Sequence, residues 1–236
     1  MKVYVINLAK NVERMEHMDA QLKLLGIEYE RIDAIYGKEL SAVERRRMYS
    51  SLRSRIALGV KMRDGEIGCA LSHVNVYKRM LYMGIDKAVV FEDDIKIGDN
   101  LKEVLDRIER FIDVGRRQVV ALSSHGVVQR NENDIVPVDS FMCTDGYVIT
   151  LAAAKAIIRA NFPVVSVADS WLRWKRLIGL ELYRAWPTTV SQMNDEFGTD
   201  IALSQHAFKG IAFVAFKLVR CIEKPMDWLL SKLTGR

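Results

Sequence analysis

The opening thirty residues constrain the fold more than any other feature. Val3–Leu8 is a run apolar at every position but Asn7 and rich in β-branched residues, the pattern of an interior strand in a parallel sheet. Val12, Met15, Met18, Leu22 and Leu25 then recur at helical spacing, and Gly26 follows where a helix C-terminus favours glycine. Ile27–Ile32 supplies a second strand pattern. Strand, helix and strand within about thirty residues is the βαβ signature.

The alternation continues. Ser41–Glu44 has the form of a capping box, and the basic, weakly periodic Arg45–Arg63 predicts a mobile helical or loop excursion. Ile67, Ala70, Leu71, Val74, Tyr77 and Leu81 form a helical stripe ending at Gly84. Lys87–Phe91 predicts a short strand, Leu101–Ile112 an amphipathic helix and Val119–Leu122 another strand. Asp145–Thr150 predicts a turn and strand, Ala152–Ala160 a helix capped by Thr150, Asp169–Leu177 a helix, and Glu181–Trp186 a strand closed by Pro187. Strands alternating with helices predict a single α/β domain with a mainly parallel sheet over residues 1–205.

Half the residues are apolar, 28% are charged and only four are proline, which excludes a disordered, collagen-like or coiled-coil chain. Cys69, Cys143 and Cys221 are odd in number and far apart, with no CxxC pair. That argues against a disulfide framework or zinc ribbon and for a reducing compartment. No apolar run reaches the ~18–20 residues of a membrane span, and the opening run is too short for a signal peptide. The expected setting is cytosol-facing. The net charge of +5 is concentrated after Gln205, where six cationic side chains face Glu223 and Asp227. The remainder is close to neutral, so a general nucleic-acid surface is not expected.

That tail is amphipathic. Phe208, Ile211, Ala215, Leu218 and Ile222 share one helical face, and Lys209, Lys217, Arg220 and Lys224 the other. Beyond Pro225, Trp228, Leu229, Leu230 and Leu233 form a second apolar patch. The pattern fits an in-plane membrane helix with cations on anionic headgroups, or a helix packed on the domain or a second subunit. The first expectation makes residues 206–236 a basic amphipathic helical tail for membrane association.

Phe91-Glu92-Asp93-Asp94-Ile95 runs a greasy strand straight into three carboxylates. Ligands of open α/β sheets gather beyond the carboxyl ends of strands. In an extended chain Glu92 and Asp94 point to one side, suiting a hard cation, Mg²⁺ or Mn²⁺, with positions left for phosphate oxygens. The bland alternative is a solvated acidic turn or a helix N-terminus.

Four ordered segments go further: Asn7–Arg14 (NLAKNVER), Gly65–His73 (GEIGCALSH), Val90–Asp94 (VFEDD) and Gly146–Ile149 (GYVI). Together they closely resemble glycosyltransferase family 25, the lipooligosaccharide galactosyltransferase group. The likeness extends to about Ile201, taking in Asp169, Pro187, Gln192 and Thr199–Ile201. Three features depart from the pattern. Lys10 stands where many relatives carry Arg, Tyr36 interrupts an acid–Gly pattern before Gly37, and Arg45–Arg63 aligns with nothing. The resemblance implies a GT-A-like (Rossmann-like) fold. It also implies inverting transfer of a sugar, usually galactose from UDP-galactose, onto a hydroxyl of a lipooligosaccharide or lipopolysaccharide core glycan. The acidic triplet then corresponds to a variant DxD motif.

Within that expectation Asp94 is the principal ligand of Mn²⁺ or Mg²⁺, and Glu92 and Asp93 serve metal, ribose or metal-bound waters. Asp169 is the candidate general base, the alternative being a helix N-cap. Asn7 and Arg14 are candidate donor contacts, although Arg14 also fits a solvated helix face. His73 fits either the donor site or a structural role. Gly146 and Tyr147 would admit and stack on the sugar, or else be a turn glycine and a core tyrosine. Trp171, Trp174 and Trp186 fit an acceptor groove or the core, and Gln192 and Asp200 match the family without an assigned chemistry. The implied partners are a UDP-sugar, a lipid-linked oligosaccharide and the cytoplasmic face of a bacterial inner membrane. Two other classes stay open: a metal-dependent phosphohydrolase, against which the missing DxDxT-like motif counts, and a non-catalytic sugar-nucleotide or membrane-binding module.

Overall fold

The computed structural model describes residues 1–123 and 133–193. The tail over 206–236, and with it Asp200 and Cys221, lies outside the described residues, as does the boundary at 205.

A seven-stranded sheet is built from β1 (Lys2–Asn7), β2 (Glu30–Asp33), β3 (Lys87–Glu92), β5 (Gln118–Ala121), β6 (Ile135–Pro137), β7 (Gly146–Thr150) and β8 (Glu181–Ala185) in the order β2-β1-β3-β7-β5-β8-β6. β4 (Ile95–Ile97) and β9 (Val190–Gln192) pair separately as an antiparallel ribbon. β2, β1, β3, β5 and β8 share one direction, while β7 runs antiparallel to both its neighbours and β6 antiparallel to β8. The expected mainly parallel α/β sheet is therefore present with a reversed strand at its centre.

Among the described residues seven α-helices accompany it: α1 (Val12–Leu24), α2 (Ala42–Met48), α3 (Ser51–Leu58), α4 (Asp64–Met83), α5 (Leu101–Phe111), α6 (Leu151–Asn161) and α7 (Trp171–Ile178). Strand alternation divides the core. Tyr4, Ile6, Ala88, Val90, Tyr147 and Ile149 pack with α4, α6 and α7, while Val3, Val5, Val89, Phe91 and Val148 pack with α1 and α5. Each face is thus closed by helices, which is why the strands read as continuous apolar runs.

Local signals were obeyed closely. Gly84 ends α4 in the left-handed region at φ 65°, and Thr150 Oγ1 accepts from the Ala153 N–H at 3.2 Å to cap α6. Ser41 and Glu44 form the reciprocal capping box of α2. The Arg45–Arg63 excursion takes the helical form, pinned by Tyr49 and Met62 in a satellite core with Ile67, Leu71 and Val164. β2 begins at Glu30 rather than Ile27, because the turn at Gly26 ties the Ile27 N–H back to the Leu22 carbonyl at 2.9 Å. Trp171, Trp174 and Trp186 are all core residues, 0–3% exposed.

Candidate active site

β1 and β3 end side by side, and β7, being antiparallel, starts there. Asn7, Glu92-Asp93-Asp94 and Asp145-Gly146 are brought to one sheet edge by this arrangement. α4 crosses above. It approaches the 35–37 loop so closely that a Cβ on Gly37 would lie 1.8 Å from the Asp64 carbonyl oxygen, and one on Gly68 2.4 Å from the Ile35 oxygen. These two glycines set the wall of a cleft with about 730 Å³ of free space, partly open to solvent, lined by Arg14, Tyr36, Lys38, Cys69, His73 and the acidic triplet among others.

The chain bends at Asp93 and Asp94, so the extended alternation stops at Glu92 and the three carboxylates meet different surroundings. Glu92 Oε1 lies 3.2 Å from His73 Nε2 and also accepts from the Thr144 hydroxyl. Burial alone would raise its pKa, but the His73 and Thr144 hydrogen bonds and the Arg14 charge prevail and hold it below the ordinary value. Asp93 Oδ2 accepts from the Asn7 amide at 2.6 Å, and its Oδ1 lies 3.3 Å from the Arg14 guanidinium. Burial still leaves Asp93 somewhat raised. Asp94 is different. Its Oδ2 is 3.6 Å from Arg14 and its Oδ1 is buried with no hydrogen-bond partner among the described residues. Burial, then the charges of Glu92 and Asp93, push its pKa up to about 7.

Asp145 repeats that condition. It is 1% exposed, its Oδ1 accepts from Gln192 at 3.0 Å, and its Oδ2 has no partner among the described residues. Burial and the charge of Glu92 raise it to about 7. Asp94 lines the cleft beside Glu92, and its unpartnered Oδ1 is a hard oxygen of the kind Mn²⁺ or Mg²⁺ takes, whereas Asp145 is buried and does not line the cleft.

The other expected residues can now be placed. Asn7 is 2% exposed and bridges Asp93, the Asn11 carbonyl and Arg31, so it orients the cluster from beneath. Arg14 lines the cleft on two carboxylates with its side chain 11% exposed, which is not a solvated face. His73 is 2% exposed, its Nδ1 2.7 Å from the Tyr147 hydroxyl, which is in turn 2.8 Å from Tyr77. Tyr147 is fully buried, so its ring offers no face to a sugar and its reach into the cleft is through His73. Gly146 is required by packing, since a Cβ would lie 3.0 Å from Val190 Cγ2 and 3.1 Å from the Phe91 ring. Asp169 precedes α7 without capping it, Ser170 being the N-cap residue. It is exposed and does not line the cleft, while desolvation of its carboxyl and then the Glu92 charge raise its pKa, opposed by the Cys143 backbone N–H. Lys10 and Tyr36, two of the three departures from the family pattern, meet each other, the ammonium 4.1 Å from the ring centre.

Asp145, Thr144 and Cys69 were not singled out as site residues. Asp145 carried a usable signal, standing directly before a buried strand, but its arrival beside Glu92 depends on the direction of β7. Burial keeps the Cys69 thiol neutral by raising its pKa well above the usual value.

A family model described as glycosyltransferase family 25 (LPS biosynthesis protein) matches residues 1–171. Procollagen galactosyltransferase 1-A of Xenopus laevis is 28% identical over 183 residues, covering 70% of this chain and 29% of that protein. A Haemophilus influenzae protein described provisionally as a glycosyltransferase is 35% identical over 103 residues, covering 44% of this chain and 36% of that protein. The inactive glycosyltransferase 25 family member 3 of Mus musculus is 30% identical over 110 residues, covering 45% of this chain and 19% of that protein. The chain thus spans less than a third of the procollagen galactosyltransferase that it matches.

Proposed function

This chain belongs to glycosyltransferase family 25, and from that premise we propose that it transfers a sugar from a nucleotide diphosphate donor, galactose from UDP-galactose, to a hydroxyl of a lipooligosaccharide or lipopolysaccharide core glycan, with inversion. The observation that carries the proposal is the buried, unpartnered Asp94 oxygen beside Glu92 in the cleft, at the edge where open α/β sheets bind ligands.

Asp94 and Glu92 would hold Mn²⁺ or Mg²⁺; when bound, the ion would neutralise charge on the departing diphosphate. Arg14 adds a guanidinium at the same wall of the cleft, suited to phosphate oxygens. Asn7 holds Asp93, and His73 with Thr144 holds Glu92, so the carboxylates are oriented before the donor arrives. Asp169 takes the proton of the acceptor hydroxyl as that oxygen bonds to the anomeric carbon and the bond to the diphosphate breaks. Its raised pKa brings it nearer the operating pH, as a general base requires. The 206–236 tail keeps the domain on anionic lipid near its acceptor, a role supported by its six cations and apolar face.

Incubation with Mn²⁺ and a panel of UDP-sugars, with and without a core oligosaccharide, tests the proposal. Acceptor-dependent UDP release with a new glycosidic linkage is expected. Acceptor-independent phosphate release from simple esters would instead indicate a phosphohydrolase. Donor binding without turnover would indicate a silent module, an outcome made concrete by the inactive mouse relative. Flotation on anionic vesicles tests the tail: loss on deleting Phe208–Arg236 is expected, and unchanged flotation would refute its role.

A further inference from the structure

The cleft wall on α4 carries a second set of ligand atoms with a different chemical character. Cys69 Sγ, His73 and Glu92 place one sulfur, one nitrogen and one oxygen within 4.8 Å of one another. Ligands about 2.0–2.3 Å from a zinc ion lie about 3.3–3.7 Å apart at the corners of a tetrahedron. His73 Nε2 and Glu92 Oε1 already stand 3.2 Å apart, so a small movement of the Cys69 side chain completes three corners. Cys69 and His73 are four residues apart on one helix and therefore share a face.

The surroundings are those of a supported metal ligand set. His73 Nδ1 is 2.7 Å from the buried Tyr147 hydroxyl, whose own partner is Tyr77 at 2.8 Å. This relay accepts an Nδ1 proton and leaves Nε2 free to ligate. Thr144 donates to Glu92 and fixes its carboxylate. Cys69, His73 and Glu92 all line the cleft, so the three ligand groups are reached from its free space.

We propose that Cys69, His73 and Glu92 form a zinc-binding site, distinct in its donors from the carboxylates Asp94 and Glu92, and that the two cations compete because both draw on Glu92. A thiolate and an imidazole favour zinc over magnesium or manganese, whereas carboxylate oxygens alone do not. On binding, the Cys69 thiol proton is released to solvent and the Nε2 proton that His73 shares with Glu92 gives way to the metal, the neutral ring then carrying its one proton on Nδ1 and donating it to the Tyr147 hydroxyl; no electrons are transferred. Zinc in this position inhibits sugar transfer, a consequence that rests on the glycosyltransferase reading; the binding itself does not.

Cobalt(II) titration of the full, metal-free chain tests the site without any sugar donor. The expected result is one equivalent of cobalt with a tetrahedral visible spectrum and a thiolate-to-metal absorption band, both displaced by zinc. Cys69→Ser removes the thiolate band and weakens binding by about 100-fold, whereas Cys143→Ser keeps it. Glu92→Gln, nearly identical in shape, provides a second removal should Cys69→Ser fail to fold. Absence of the band in the folded wild-type chain, or its persistence in Cys69→Ser, would overturn the site. The inhibitory consequence is read separately: zinc added against saturating Mn²⁺ should slow transfer, with the inhibition constant at least tenfold weaker in Cys69→Ser relative to that variant's own uninhibited rate. Equal inhibition of both would overturn the competition and leave the cobalt result to stand alone.

Discussion

The two sides of the acidic cluster differ in how completely their oxygens are satisfied. On the β1 side, Asp93 is gripped by Asn7 at 2.6 Å and Arg14 at 3.3 Å, and Asn7 by Arg31 at 2.9 Å. By contrast, Asp94 and Asp145 each keep a buried oxygen without a partner among the described residues, and both are raised to about 7. Adjacent carboxylates on one turn therefore do opposite things. A satisfied buried carboxylate stabilises the fold around it, while an unsatisfied one lowers stability unless a ligand supplies what the protein withholds. Asn7 and Asp93 brace the cluster, and Asp94 keeps an oxygen for a ligand in the cleft.

Substitutions should separate the two sides. The largest effect is expected from Asp94→Asn, which should lower metal-dependent transfer by about 10³–10⁴-fold, the several kcal/mol that electrostatic stabilisation of a leaving group supplies, with the thermal midpoint unchanged or raised. A fall in stability with activity retained would reverse the comparison. Next, Asp169→Asn should reduce kcat by about 10²–10³-fold, in the range of a lost general base, while Mn²⁺ affinity measured by calorimetry stays at the wild-type value. Weakened Mn²⁺ binding would move Asp169 into the cation site.

Asn7→Ala addresses the scaffold side. It leaves Asp93 short of its closest donor, at about 1–3 kcal/mol for an unsatisfied buried group, and should lower the thermal midpoint by about 2–10 °C. The smallest effect is a pH dependence. Asp94 and Asp145 hold protons up to about 7 in the folded chain, whereas an unfolded Asp releases its proton near pH 4. Between about pH 4 and 7 the folded chain binds more protons, so the metal-free protein should lose stability as pH rises through that window. Asp145→Asn should flatten the slope and raise the midpoint at pH 8 by a few degrees; a steeper slope would mean that Asp145 is not buried as an unpaired acid.

Much of this was legible because it was local. The β1 and β3 apolar runs, the capping residues Ser41 and Thr150, and the helix stop at Gly84 are each decided by a few neighbouring residues. The acidic triplet and Asp169 announced themselves by residue type and position after apolar runs. What stayed hidden depends on contacts across the chain. Nothing in Gly146–Thr150 says that the strand runs backwards, so Asp145 read as a plain turn residue. Tyr147 was ambiguous because its destination is a histidine 74 residues away. Lys10 and Tyr36 read as two separate oddities, although they form one cation–ring pair.

A crystal of the full chain soaked in UDP and Mn²⁺, with anomalous scattering recorded, puts the central claim to its most direct test. The account requires a single manganese peak within bonding distance of an Asp94 oxygen and beside Glu92, with the diphosphate on its open side and Arg14 nearby. Manganese bound elsewhere, or UDP held in the cleft with no ion beside Asp94, would contradict it.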